Sequence, residues 1–133
     1  MEEDRRSEAR ERALDLLYEA DAKELSVAEV LAALPVPPDD LAVLLVRGVA
    51  ARRGEIDGLL AEHARGWTLE RMPVIDRTVL QVAVFELMDR PEVPTAVVID
   101  EAVELAKRFS TDDSGRFVNG MLATIAPLVR PPA

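Results

Sequence analysis

The chain has 133 residues, of which 49% are hydrophobic and none is cysteine, and its formal net charge is -9. This length fits one domain, and the apolar content is sufficient for a core, which argues against disorder. The lack of cysteine excludes disulfides, thiolate metal sites and cysteine nucleophiles, and it suits a cytoplasmic protein. The charged N-terminus is unlike a secretory signal, and no apolar run approaches the roughly 20 residues of a membrane helix, so we expect no membrane association.

The N-terminal half is predicted to be helical, because apolar residues recur at helical spacing and strand-like alternation is absent. The first helix is expected from Ser7 to Ala22. Ser26, with Glu29 three residues later, has the capping-box pattern of a second helix that ends before Pro35. A third helix follows Asp39-Asp40, and a shorter fourth is expected near residues 55–64.

The C-terminal half has a more regular pattern. Pro73 suits the first turn of a helix that runs to about Met88 and is apolar nearly all round, as is typical of a central buried helix. Thr95 is predicted to cap the next helix, and residues 110–113 to cap the last, which stops near Pro127. The sequence therefore predicts an all-α fold of about seven helices in two small packed bundles. We assign residues 1–66 to the N-terminal subdomain and residues 67–133 to the C-terminal one, within a single domain.

Enzymatic and metal sites are not supported by the sequence. His63 is the only histidine, so no second histidine can share a metal with it. The acidic pairs Asp39-Asp40 and Asp112-Asp113 stand at helix starts, where capping and the helix dipole favour acids. Because no phosphate loop, nucleophile elbow or zinc motif is present, we predict no catalytic residues, no metal and no cofactor.

Two groups of basic residues are candidates for nucleic-acid binding, although the net charge taken alone argues against it. Arg5, Arg6, Arg10 and Arg12 cluster in the first helix, where Arg6 and Arg10 share a face. The alternative is a solvated face that is neutralised locally by neighbouring glutamates. The sequence alone leaves both interpretations open.

The second group surrounds the turn between the last two predicted helices. Cations beside aromatic rings at a helix junction suit single-stranded RNA, which is held by phosphate contacts and base stacking. The alternative is that both phenylalanines belong to the core. The group consists of Lys107, Arg108, Phe109, Arg116 and Phe117.

Several motifs resemble the NusB transcription antitermination family. Residues 74–80, which read VIDRTVL, are followed by Phe85-Glu86-Leu87 and by the Val93-Pro94 turn. Residues 99–109, IDEAVELAKRF, and residues 113–122, DSGRFVNGML, complete the C-terminal part of the pattern. Residues 10–18, RERALDLLY, are similar to the first helix of the family. The resemblance covers nearly the whole chain, whereas residues 25–70 carry little of it.

This resemblance implies two helical bundles that bind the boxA element of RNA transcripts. It implies pairing with a small-subunit ribosomal protein, called NusE in transcription, and entry into an RNA polymerase antitermination complex. Tyr18 and Asp76 are carried over to the partner-binding face. The residues carried over to the RNA-binding face, together with Arg5 of the same basic group, are Arg6, Arg10, Lys107, Phe109, Asp113, Arg116 and Phe117.

One departure from the family pattern keeps other functions open. Ser7 and Glu8 interrupt the N-terminal arginine run, and acids precede it. This favours greater dependence on the partner protein, and it allows a protein-only adaptor or a homodimer with weak or no RNA binding of its own. NusB-like domains also occur fused to an RNA cytosine methyltransferase. We expect no such enzyme here, because the 133 residues leave no room for its cofactor-binding domain.

Overall fold

The computed structural model describes residues 2–64 and 68–131, and within them the chain forms helices and no strands. The helices are α1 Glu2–Lys23, α2 Val27–Ala33, α3 Asp40–Ala51, α4 Arg53–His63, α5 Val74–Asp89, α6 Thr95–Phe109 and α7 Asp112–Val129. The predicted all-α class is therefore confirmed. The proposed boundary between residues 66 and 67 lies outside the described residues, and the division into two subdomains stays a prediction. None of the described helices is both long and apolar enough to cross a membrane.

Side-chain caps begin three of the helices where the sequence predicted them. Ser26 and Glu29 form the capping box of α2, with both reciprocal bonds at 3.0 Å. Asp39 caps α3 by accepting from the backbone N–H of Leu41, and Thr111 caps α7 by accepting from that of Ser114. These acceptors satisfy N–H groups that the first turn of a helix leaves without partners.

Two predicted helix starts were wrong. Helix α1 begins at Glu2 instead of Ser7, and Asp4 in its first turn is an acid that the helix dipole favours there. Thr95 is the first residue of α6 and caps nothing; Pro94 precedes it without a side-chain cap. Helix α7 ends at Val129, two residues beyond Pro127, so its predicted end near Pro127 is confirmed.

Helix α5 lies at the centre of the fold, as its apolar sequence predicted. It packs against α1, α3, α4, α6 and α7, and every residue from Thr78 to Leu87 is buried. Gly48 of α3 allows close approach, because a methyl group there would overlap the ring of buried Phe85. The position of α5 thus determines how the helices that carry the candidate site are placed.

Arg130 holds the C-terminal end of this central helix. Its guanidinium donates to the carbonyl oxygens of Glu86, Leu87 and Arg90, at 2.7 to 3.1 Å. It also donates to the carbonyl of Val93, 2.7 Å away, and to the hydroxyl of Thr95. Since the last carbonyls of a helix have no partner within it, this single side chain closes α5 and ties it to α6 and α7.

Candidate nucleic-acid interface

The turn between α6 and α7 brings the second basic group together. Helix α6 ends with Lys107, Arg108 and Phe109, all exposed, and Arg108 lies over the ring of Phe109 at 4.9 Å. The stem of Lys107 packs on α7, where a side-chain carbon at Gly115 would lie only 2.8 Å from its Cγ. A glycine at this position therefore lets the cation of α6 sit against the start of α7.

The first turns of α7 add a charged pair and a second aromatic ring. Arg116 and Asp113 form an ion pair, and both side chains are highly exposed. A guanidinium in one ion pair keeps other N–H donors available for a phosphate. Phe117 is half-buried and packs against the core. The two interpretations of Phe117, core and stacking platform, are therefore both compatible with its position.

A cavity of about 300 Å³ opens beside Phe117, between the starts of α5 and α7. Asp76, in the first turn of α5, lines this cavity with only 3% of its surface exposed. Its Oδ1 has no hydrogen-bond partner. Asp76 is thus buried in the free chain, because helical spacing places it one turn before the buried Val79 and Leu80, and its role in partner binding stays a prediction. The remaining lining residues are Pro73, Thr111, Asp113 and Ser114.

Arg10 is buried and does not lie on an exposed basic face, so that expectation was wrong. It leaves 3% of its surface exposed and donates to both carboxylate oxygens of Glu86, at 2.7 and 2.9 Å. Burial lowers the pKa of Arg10, but the hydrogen bond and charge of Glu86, with the charge of Glu101, outweigh it, so the pKa is raised. The physical reason for its burial is spacing, since Arg10 precedes the buried Leu14 and Leu17 by four and seven residues.

Arg5 and Arg6, in contrast, are exposed near the start of α1. Two side-chain contacts join α1 to α6: the Ser7 hydroxyl donates to Glu101 at 2.7 Å, and Glu11 pairs with Arg108 at 3.4 Å. These contacts lie seven residues apart on α6, which is about 10 Å along a helix. The two basic groups consequently lie towards opposite ends of one α1–α6 seam.

Tyr18 lies farther along α1 and is 46% exposed. Its ring is available on the surface, as a partner-binding residue requires, while its neighbours Leu17 and Leu16 are buried. Exposed aromatic rings are enriched among the residues that contribute most to protein interfaces.

Metal chemistry finds no support in the residues that the structure describes. No group of three or more histidine, cysteine, aspartate or glutamate side chains within them could hold a metal ion. The sequence did not predict the cavity at Asp76 or the burial of Glu86. The burial of Asp76 could have been expected from its helical spacing to Val79 and Leu80.

Comparison with known proteins identifies the fold and the family. The NusB family model matches residues 7–127. The transcription antitermination protein NusB of Saccharopolyspora erythraea is 53% identical over 127 residues, covering 91% of this chain and 86% of the relative. That of Acidothermus cellulolyticus is 49% identical over 124 residues, covering 90% of this chain and 86% of the relative.

Solved structures agree with these sequence relatives. The structure of T. maritima NusB superposes with a TM-score of 0.85 at 32% identity, covering 95% of this chain and 93% of that one. A structure of the antitermination factors NusB and NusE with double-stranded RNA has a TM-score of 0.79 at 26% identity, covering 96% and 99%. The chain therefore belongs to the NusB family, which is a family of transcription antitermination factors and not of enzymes.

Proposed function

We propose that this antitermination factor binds boxA RNA together with NusE and joins the RNA polymerase antitermination complex in the cytoplasm. The observation that supports RNA binding best is the junction of α6 and α7. There Arg108 lies over the ring of Phe109, and Lys107 and Arg116 are neighbouring cations on the two helices that carry Phe109 and Phe117. Cations hold the phosphates of a single strand, while exposed ring faces stack on its bases.

The path of the strand follows from the placement of the basic groups. Arg5 and Arg6 lie near the start of the α1–α6 seam, and the α6–α7 junction lies at its other end. A strand along this seam would meet positive charge at both ends. Asp113 would orient Arg116 through their ion pair. Arg10 contributes by holding α1 on α5 and not by contacting phosphate, because its guanidinium already donates to both carboxylate oxygens of Glu86.

NusE is the proposed protein partner, supported by the complex that the NusB of similar fold forms with it. We assign Tyr18 to this surface because its ring is exposed on α1. The resemblance also carries Asp76 to this surface, with 3% of it accessible in the free chain. Dependence on NusE is expected to be strong, because Arg108 and Arg116 are each already paired with an acid.

The test is a fluorescence titration of boxA RNA at several salt concentrations, with and without NusE. We compare Arg116→Glu with the control Lys23→Glu, which makes the same type of charge reversal at an exposed position near the far end of α1. Each lost phosphate contact should flatten the plot of log affinity against log salt by about 0.7. We expect this flattening for Arg116→Glu alone. Equal behaviour of both variants would contradict the proposed interface.

A protein-only adaptor or homodimer is the second candidate. The ion pairs of Arg108 and Arg116 and the burial of Arg10 favour it, because they reduce the number of unpaired cations. It predicts NusE binding without any RNA affinity, in the same titration. Analytical ultracentrifugation of the free chain would then separate the monomeric adaptor from the homodimer.

A further inference from the structure

A stripe of side chains with an apolar centre and charged ends runs along the outer face of α3. Leu44 is 49% exposed, and Val43 beside it is half-buried. Asp40 lies one turn before them and Arg47 one turn after, and both charges are exposed. Residues at positions i, i+3, i+4 and i+7 share one face of a helix. These four side chains are called the α3 stripe below.

A groove of about 630 Å³ opens beside this stripe, between α3 and the C-terminal end of α5. The four residues of the α3 stripe line one side of it, and Gly48 and Phe85 lie between the two helices. Because Gly48 carries no side chain, the ring of Phe85 packs directly against the backbone of α3. The volume is within the range of ligand pockets, so the groove has room for an apolar side chain of another molecule.

The charges around the groove restrict what could occupy it. Asp89 pairs with Arg52, and Glu92 pairs with Arg90 at 3.4 Å. The two charges of the α3 stripe, in contrast, have no ion pair or side-chain hydrogen bond within the described part of the chain. They stand seven residues apart, which is about 10 Å along a helix. A complementary occupant therefore presents a base and an acid at the same separation and in the opposite order.

We propose that the occupant is a second copy of this chain, with the two α3 helices antiparallel across a two-fold axis. In such an interface every contact between residues i and j occurs twice. Asp40 of each copy then pairs with Arg47 of the other. The centre of this register falls between Val43 and Leu44, so each Leu44 enters the groove of the other copy. The stripe is thus complementary to itself in both charge and shape.

Neither the net charge nor the proposed RNA binding conflicts with this dimer. The Debye length in physiological salt is about 8 Å, so most acids of one copy hardly repel those of the other, whereas the paired groups are in contact. The α3 stripe contains none of the cations that we assign to RNA. Self-association through α3 is therefore independent of the proposed function, and each can fail without the other.

The first test measures the oligomeric state by analytical ultracentrifugation, from micromolar to millimolar protein without RNA or NusE. Leu44→Lys is compared with the control Leu128→Lys, because Leu128 is an apolar residue of α7 that is 57% exposed. We expect the unchanged protein and the control to dimerise with rising concentration, and Leu44→Lys to stay monomeric. A dimer that survives Leu44→Lys would overturn the proposal. A monomeric unchanged protein at every concentration would also overturn it and leave the groove to a different partner.

The second test reverses the charges. Asp40→Arg and Arg47→Asp each place like charges opposite one another, twice in every dimer, so each should raise the dimer dissociation constant by roughly ten-fold or more. An equimolar mixture of the two variants restores both attractive pairs, as does the double variant Asp40→Arg, Arg47→Asp, and both should dimerise again. Melting temperatures identify a variant that fails to fold, which mixing cannot rescue. Two folded single variants that do not associate when mixed would overturn the antiparallel pairing.

Discussion

Replacing Arg10 by methionine tests whether this residue is structural. The substitution keeps most of the side-chain volume but removes both hydrogen bonds to Glu86, which is itself 1% exposed. Breaking a buried ion pair from one side costs about 3–5 kcal/mol, because the remaining charge is left without compensation. Arg90 still contacts Glu86 at 3.2 Å, so we expect the lower end, about 3 kcal/mol.

This loss converts into a measurable change in melting temperature. The unfolding entropy of a domain is about 2.1 cal/mol/K per residue, so 3 kcal/mol corresponds to roughly 10 °C here. Thermal and urea unfolding followed by circular dichroism would measure it. Arg12→Met is the control, because Arg12 lies on the same helix but is exposed, and exposed substitutions stay within about 0.5 kcal/mol.

The double variant Arg10→Met, Glu86→Leu tests whether the loss of stability comes from the unpaired charge of Glu86. Replacing a buried ion pair by apolar residues of similar volume is often neutral or stabilising, so most of the loss should be recovered. RNA affinity of Arg10→Met, measured well below its melting temperature, should equal that of the unchanged protein. A stable Arg10→Met protein that binds RNA weakly would refute the reasoning and return Arg10 to the RNA surface.

Three further substitutions address other parts of the molecule. Arg130→Met leaves the last carbonyls of α5 without their donor and should lower the unfolding free energy by about 1–3 kcal/mol in urea, against no change if water replaces the guanidinium. Burial, followed by the charge of Glu11, raises the pKa of Asp15; because the protonated form is favoured in the fold, this stability is present at acid pH and is lost as pH rises through the folded pKa. Asp15→Asn should therefore raise the melting temperature at neutral pH and leave it unchanged near pH 3, where the carboxyl is protonated in both states at about one unit below its ordinary pKa. Phe117→Ala should cost about 1–3 kcal/mol of RNA binding if a base stacks there, and a variant that unfolds early yet binds RNA normally while folded would make Phe117 a core residue only.

The helices were predictable from the sequence because their causes are local. The continuous apolar character of residues 74–88 predicted a central helix, and α5 is buried on nearly all sides. Ser26 and Glu29 predicted a capping box that forms between side chains three residues apart. Periodicity and capping act within a few residues, so neither needs knowledge of what packs against the helix.

The candidate site was less predictable because it depends on contacts between distant segments. Arg10 was assigned to an exposed face by its residue type, although its spacing to Leu14 and Leu17 placed it on the buried stripe of α1. Its partner, Glu86, is 76 residues away, and nothing local indicates that the two meet. The cavity at Asp76 likewise exists only because the starts of α5 and α7 lie together.

The acidic net charge of -9 is compatible with an RNA surface because charge acts locally in physiological salt. The Debye length there is about 8 Å, so acids beyond that distance from the junction hardly affect a bound phosphate. Several acids are also neutralised by ion pairs in other parts of the molecule, as Glu55 and Asp89 are by Arg52. At the junction itself, however, Glu11 pairs with Arg108 and Asp113 pairs with Arg116. Phosphate contacts alone should then give modest affinity, and tight RNA binding should depend on NusE.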